Sequence, residues 1–342
     1  MKFTQIACGM ALAALLPGFA QAQEVILKVA HPVPPTAPGH VKMIVPWCEK
    51  IEAESHGRMK CQIYPAMQLG GTPPQLLTQV RDGVADIVWS LPGYTPGRFP
   101  VSEVFELPFM TRTRDGSSRA LWDFAEKNAA KEFAGVRPVA LWVSGPYALH
   151  SRDKEVHTLD DMKGLKIRTP SRLGTKLLEA LGATPVGMPV PQIPESLSKG
   201  VIEGALLPWE VVPAFKVQEL TKNSTEFSGD HAMTATTMMF IMNARKYNSL
   251  PADLKAIIDR NSGREASAWF TLQMQLGDDA GLKATVKNGN KIFAIPSGEM
   301  ARWQAAAKPV TEEWIKEVSA KGLDGKQLHD EAVALIDKYS PH

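Results

Sequence analysis

From Glu24 onward, short apolar runs with the two-residue period of strands take turns with longer stretches of helical period, and this alternation restricts the fold more than any other feature. Strand patterns fall at 24–30, 59–65, 86–91, 137–143, 165–169 and 183–189. Helical patterns fall at 40–55, 74–84, 115–133, 172–181 and 194–201. A long helical stretch follows from Pro251 with a break near Gly277, and two more helices occupy 298–320 and 326–338. Strands separated by helices pair through crossovers, so the fold class is α/β with mixed, mainly parallel sheets. A chain of 342 residues is long enough for two such domains.

One strand carries an unusual pair of cations. In "MKGLKIRTPS" (162–171) alternation puts Leu165 and Ile167 on one face and Lys166 and Arg168 on the other. Thr169 precedes Pro170 and is held extended, and Ser171 is a good N-cap for the helix that follows. Arg168 therefore stands at the carboxyl end of a strand beside a helix start, the edge at which open α/β sheets bind ligands.

The formal net charge is +2 and no block of like charge occurs, so a nucleic-acid partner is not supported and a small one is favoured. Lys2, the apolar stretch "IACGMALAALLPGFA" and then "AQA" have the layout of a secretory signal peptide cleaved after Ala22. The apolar run is too short for a membrane span and none follows, so the mature chain is expected to be periplasmic and not membrane-embedded. Export leaves Cys48, on a helix, and Cys61, on the next strand, in an oxidising compartment, where they are a disulfide candidate or a pair of buried thiols.

The usual parts of an enzyme are missing. The sequence holds no G-x-S-x-G elbow, phosphate-binding loop, G-x-G-x-x-G, H-E-x-x-H or C-x-x-C. Its eight histidines are scattered without metal-ligand spacing. No catalytic residue, cofactor or metal is therefore assigned. There is a faint internal echo: "RDGVADIVWSLPG" (81–93) and "SKGVIEGALLPWE" (198–210) each run from a helix end through an apolar strand into a proline-bearing loop. Two domains facing one cleft would produce it, as would two unrelated βαβ units.

The segments "LDDMKGLKIRTPS", "EALGATPVGMPVPQIPESLSKGVIEGALLPWE" and "YNSLPADLKAII", with "LKVAHPVPPTAPGH" and "GRMKCQIYPAMQLGGTPPQLLTQVRDGVADIVW" before them, resemble the DctP-like solute-binding proteins of tripartite ATP-independent periplasmic (TRAP) transporters. The resemblance implies a two-domain periplasmic binding protein in which the long helix after Pro251 spans both domains, acting by hinge closure and delivering its ligand to membrane permease subunits. It implies that Arg168 pairs with a ligand carboxylate, a role for which the planar guanidinium is suited. Two departures from the family pattern bear on the ligand. Where many members have a polar Gly-Gln-Glu-Asn-Pro run, this chain has "GALLPW", and where a second arginine often stands, "SGPYALHS" offers Tyr147 and His150. One cation with apolar and aromatic surroundings favours a hydrophobic or aromatic monocarboxylate. The expected ligand shell comprises Arg168, Tyr147, His150, Trp89, Ser90, Tyr94, Leu207, Trp209, Met233 and His31.

The expected domains are 23–143 plus 233–275, and 144–232 plus 276–342, in a monomer. Two other functions fit the same sequence. One is a ligand-sensing periplasmic subunit for a membrane receptor. The other is an exported enzyme acting on a small carboxylic acid through His150, or through His231 with Asp230.

Overall fold

The computed structural model describes residues 24–340, so the expected signal peptide and its cleavage site lie outside the described residues. The strands are β1 (Val25–Ala30), β2 (Met59–Tyr64), β3 (Ile87–Ser90), β4 (Val136–Val143), β5 (Ala148–Ser151) and β6 (Lys166–Thr169). They are followed by β7 (Thr184–Gly187), β8 (Gly204–Leu207), β9 (Asn223–Phe227), β10 (Thr237–Asn243) and β11 (Lys291–Ile295). They form two mixed sheets, one ordered β2-β1-β3-β10-β4 and the other β11-β9-β5-β8-β6-β7. β1, β2 and β3 run parallel, as do β7, β6 and β8; β10 is antiparallel to both β3 and β4.

β10 follows β5 to β9 of the second sheet in sequence yet lies inside the first, and β11 then returns to the second, so the chain crosses between domains more than once. Its seven residues, "TMMFIMN", are all buried, and a strand covered on both faces shows no two-residue alternation. β9, "NSTEF", was missed in the sequence for the opposite reason. Asn223, Ser224 and Thr225 read as turn residues, but all three are buried and bonded, Thr225 Oγ1 donating to Val156 O at 3.0 Å.

The connection after β4 and the segment before β10 run side by side. Ser144 N donates to Thr236 O at 2.9 Å, Thr236 N to Ser144 Oγ at 3.0 Å and Tyr147 N to Thr234 O at 3.2 Å. These bonds tie the first two crossings together. The helical stretch expected after Pro251 with one break near Gly277 has that break and an earlier one, giving three helices, Ala252–Arg260, Arg264–Gln275 and Asp278–Lys287. Gly263, at φ +100°, supplies a conformation that L residues rarely adopt at the first break. At the second, a Cβ on Gly277 would stand 2.5 Å from Pro38.

The stretch 276–342, expected to belong wholly to the second domain, is divided by its packing. β11 pairs with β9 on the edge of the second sheet. The 24-residue helix Ser297–Ala320 then carries Met300, Trp303 and Ala307 in the second domain's core, and Val310, Trp314 and Val318 in a core shared with Leu121, Phe124 and Met239 of the first. Ala332 and Ile336 of the final helix, Gly325–Tyr339, join that same core. The domain-spanning helix is thus this later one. Another apolar cluster runs from Leu27 and Trp47 across to Met188, Val190, Leu207 and Phe215 of the second domain, so the two domains are closed on each other. Cys48 and Cys61 are disulfide-bonded, joining the helix Val45–Glu54 to β2. Among the described residues no helix is long and apolar enough to cross a membrane.

Candidate functional site

Register across the second sheet builds the floor of the cleft. Arg168 of β6 is opposite Ala205 of β8, Ala205 is opposite His150 of β5, and His150 is opposite Ser224 of β9. Residues so paired point to one face, and Leu207, two residues beyond Ala205, joins them there. That face looks toward the carboxyl end of β3 and the loop carrying Tyr94.

Arg168 is 1% exposed. Its Nε donates to Met188 O at 2.9 Å and its Nη1 to Leu206 O at 3.3 Å. The Tyr94 and Tyr147 side chains are its closest electrostatic neighbours. Burial lowers the pKa of the guanidinium, and the two tyrosines oppose that shift. Burial likewise raises both phenols, against the pull of Arg168. Tyr94 Oη is fixed by the backbone N–H of Val190, which donates to it at 3.1 Å. Among the described residues no acidic side chain forms an ion pair with Arg168. A buried cation held by carbonyls and phenols alone is costly unless an anion joins it.

Of the other expected shell residues, Trp89 and Leu207 share the cross-domain cluster with Tyr94. His31 packs on Trp89 with ring centroids 5.9 Å apart, and its Nε2 faces His40 Nδ1 at 2.9 Å. Burial takes the His31 pKa down to about 3, so this ring is neutral. Four more of the expected residues have these surroundings. His150 has both ring nitrogens engaged, by Ser224 Oγ at 2.9 Å and Leu207 O at 3.3 Å, and burial lowers it to about 4. Trp209 stacks edge-on against His150 at 4.9 Å and donates to Glu226 Oε1 at 2.9 Å. Ser90 alternates to the opposite face of β3 from Trp89. Met233 is packed in the second domain's own core beside Tyr147. His231 lines a separate cavity of 200 Å³ with Leu107, His329 and Asp337.

Two residues at the seam were not singled out in the sequence. Glu106 is buried and accepts from Thr237 N at 2.9 Å and Thr237 Oγ1 at 2.5 Å; Ser171 also reaches it. Burial pushes its carboxyl up to about 7, against those hydrogen bonds. Gly93 meets the second domain directly, since a Cβ there would lie 2.7 Å from Ser171 Cβ and 3.1 Å from Pro170 O. Outside this contact a groove of 410 Å³ separates the 93–96 loop from residues 170–175 and 187–189, with Tyr94 and Met188 in its wall. No local pattern marks Glu106 or Gly93, because each gains its role from a chain segment more than 60 residues away. Among the described residues, no cluster of His, Cys, Asp or Glu could hold a metal.

Residues 29–317 match the family described as bacterial extracellular solute-binding protein, family 7. A TRAP solute-binding protein from Rhodoferax ferrireducens T118, solved with copurified benzoate, is 46% identical at a TM-score of 0.91, over 92% of this chain and 98% of that one. A marine metagenome TRAP solute-binding protein specific for aromatic acid ligands, solved with metahydroxyphenylacetate, is 43% identical at 0.91, over 93% and 100%. A TRAP protein from Bordetella bronchiseptica with bound (R)- and (S)-mandelate is 27% identical at 0.84, over 92% and 99%.

Proposed function

Since the chain belongs to family 7 of the bacterial extracellular solute-binding proteins, and so binds solute for a transporter instead of catalysing a reaction, we propose that its ligand is a small aromatic monocarboxylate. The observation that carries this reading is Arg168, buried in a closed cleft with no carboxylate of the described residues against it. The ligand carboxylate takes the free side of the guanidinium, with the Tyr94 and Tyr147 hydroxyls as further donors. Trp89 and Leu207 cover the ring. Closure removes water and strengthens the ion pair. It also creates a surface that TRAP permease subunits distinguish from the open form, because only differential contacts shift such an equilibrium. The aromatic acids bound by the Rhodoferax, marine and Bordetella proteins support this choice of ligand. The protein is exported by its amino-terminal leader and works as a monomer in the periplasm.

The test is a thermal-shift screen on protein refolded from denaturant, which strips any copurified acid. Binding to the native state alone raises the transition. Benzoate, 3-hydroxybenzoate and mandelate should raise it, and Arg168→Ala should abolish the rise. Shifts with succinate or galactonate but not with benzoate would overturn the ligand class, and no shift with any acid would overturn the function.

A further inference from the structure

At the third crossing between the domains lies a buried charged cluster that ligand capture does not use. Glu210 follows β8 in the turn Trp209–Val211 of the second domain. Asp278 opens the helix Asp278–Lys287, and Arg114 opens the helix Arg114–Asn128 of the first domain. Arg114 Nη2 donates to Asp278 Oδ2. Both oxygens of Glu210, the other oxygen of Asp278 and Arg114 Nη1 are buried without a hydrogen-bond donor or acceptor of ordinary kind. Asp278 is the acidic neighbour of Glu210 in this buried cluster. Two carboxyls buried side by side repel when both are ionised, so one of them favours its protonated form.

The surroundings leave no room to relax. A Cβ on Gly277 would stand 2.8 Å from Glu210 Cβ, one on Gly281 would stand 2.0 Å from Trp209 O, and one on Gly145 would stand 2.2 Å from the Arg114 guanidinium. Gly145 belongs to the first crossing, so the cluster touches two of the chain's passages between domains. The charged groups facing Glu210 are Arg114 and Asp278; Gly145 and Pro38, also against the cluster, carry none.

We propose that closing the two domains is coupled to uptake of a proton by the Glu210–Asp278 pair, which makes this crossing a proton-sensitive latch beside Arg114. Glu210 and Arg114 sit on different domains, so opening parts them and lets water reach Glu210. On closing, burial holds Glu210 up at about 8 against the pull of Arg114, with Asp278 beside it throughout, and the proton comes from the buffer. A group whose closed-form pKa is raised favours closure below its open-form pKa. That advantage is lost as pH climbs from the ordinary carboxyl range to about 8, and the dependence is flat above.

The experiment is titration calorimetry with benzoate at pH 7, in buffers of differing ionisation enthalpy, on the parent protein, Glu210→Gln and Glu106→Gln. Glu106 is another buried carboxyl at the seam and is the control. The parent should take up roughly half a proton or more per benzoate through Glu210, with affinity falling by up to about tenfold per pH unit between pH 6 and 8. Glu210→Gln should lose that share, and Glu106→Gln should keep it. Equal uptake in the parent and Glu210→Gln overturns the proposal. If Glu210→Gln does not fold, Asp278→Asn serves, and it should reduce uptake by removing the opposing carboxylate. If benzoate does not bind, the ligand assignment fails separately. Solution scattering of unliganded protein then decides: expansion between pH 5.5 and 8.5 in the parent but not in Glu210→Gln supports the latch, and equal behaviour overturns it.

Discussion

Replacing Arg168 by Met separates the two things this side chain does. Methionine has similar length and no charge, so the packing against Met188 and Leu206 is largely retained. In the unliganded protein the change removes two hydrogen bonds, from Nε to Met188 O and from Nη1 to Leu206 O. Bonds from a charged donor contribute about 1.5–3 kcal/mol each. Against this, the variant no longer holds an unpaired cation at the cleft, and with the cleft open in the unliganded protein water screens both effects. The two nearly cancel, and unliganded stability should change by less than about 2 kcal/mol. Ligand binding has no such compensation, because the carboxylate enters the same closed cleft with its partner gone. Loss of one member of a buried pair costs about 3–5 kcal/mol, which weakens binding by roughly 100-fold to several thousand-fold. Calorimetric titration with benzoate measures the second quantity and denaturant unfolding without ligand measures the first. Benzoate affinity within about threefold of the parent would refute the reasoning.

Gly93→Ala should oppose closure, since its Cβ would meet Ser171 and Pro170. Benzoate affinity should fall by about tenfold or more with the unliganded unfolding midpoint unchanged, as strain confined to the closed form predicts. Cys48→Ala with Cys61→Ala opens a link across 13 residues, which should cost about 3 kcal/mol in denaturant unfolding. The parent treated with reductant should match the double variant. Glu106→Gln should flatten part of the pH profile of stability. The parent's Glu106 is held at about 7 when folded, so its contribution is complete near the ordinary carboxyl pKa and is lost as pH rises to about 7. Unfolding midpoints from pH 5 to 8 should therefore fall less in the variant.

How much of the site could be read from the sequence depended on how local each signal was. Arg168 was legible because strand alternation, a pre-proline residue and an N-cap all lie within ten residues. Ser171 does cap its helix, accepting from Gly174 N at 3.2 Å. Tyr94, Trp89 and Leu207 were legible as loop and strand-end residues, and the structure puts them in one cluster. His150 and Trp209 lie on the same face, but a residue's neighbours decide whether its polar atoms are spare. Ser224 and Glu226 come from a strand whose polar sequence hid it.

The sequence by itself determined the order of most strands and helices, the parallel crossovers, Cys48 and Cys61 as a disulfide candidate and the arginine at a strand end, because each rests on periodicity and turn chemistry within about twenty residues. The tertiary structure alone decided that β10 returns to the first sheet and that the helix Ser297–Ala320 joins both cores. It alone brought Glu106 to Thr237, and Glu210 to Asp278 and Arg114. Those placements depend on burial shared between segments far apart in the chain. Burial removes the water that would otherwise make a glutamate at the cleft indistinguishable from one on the surface.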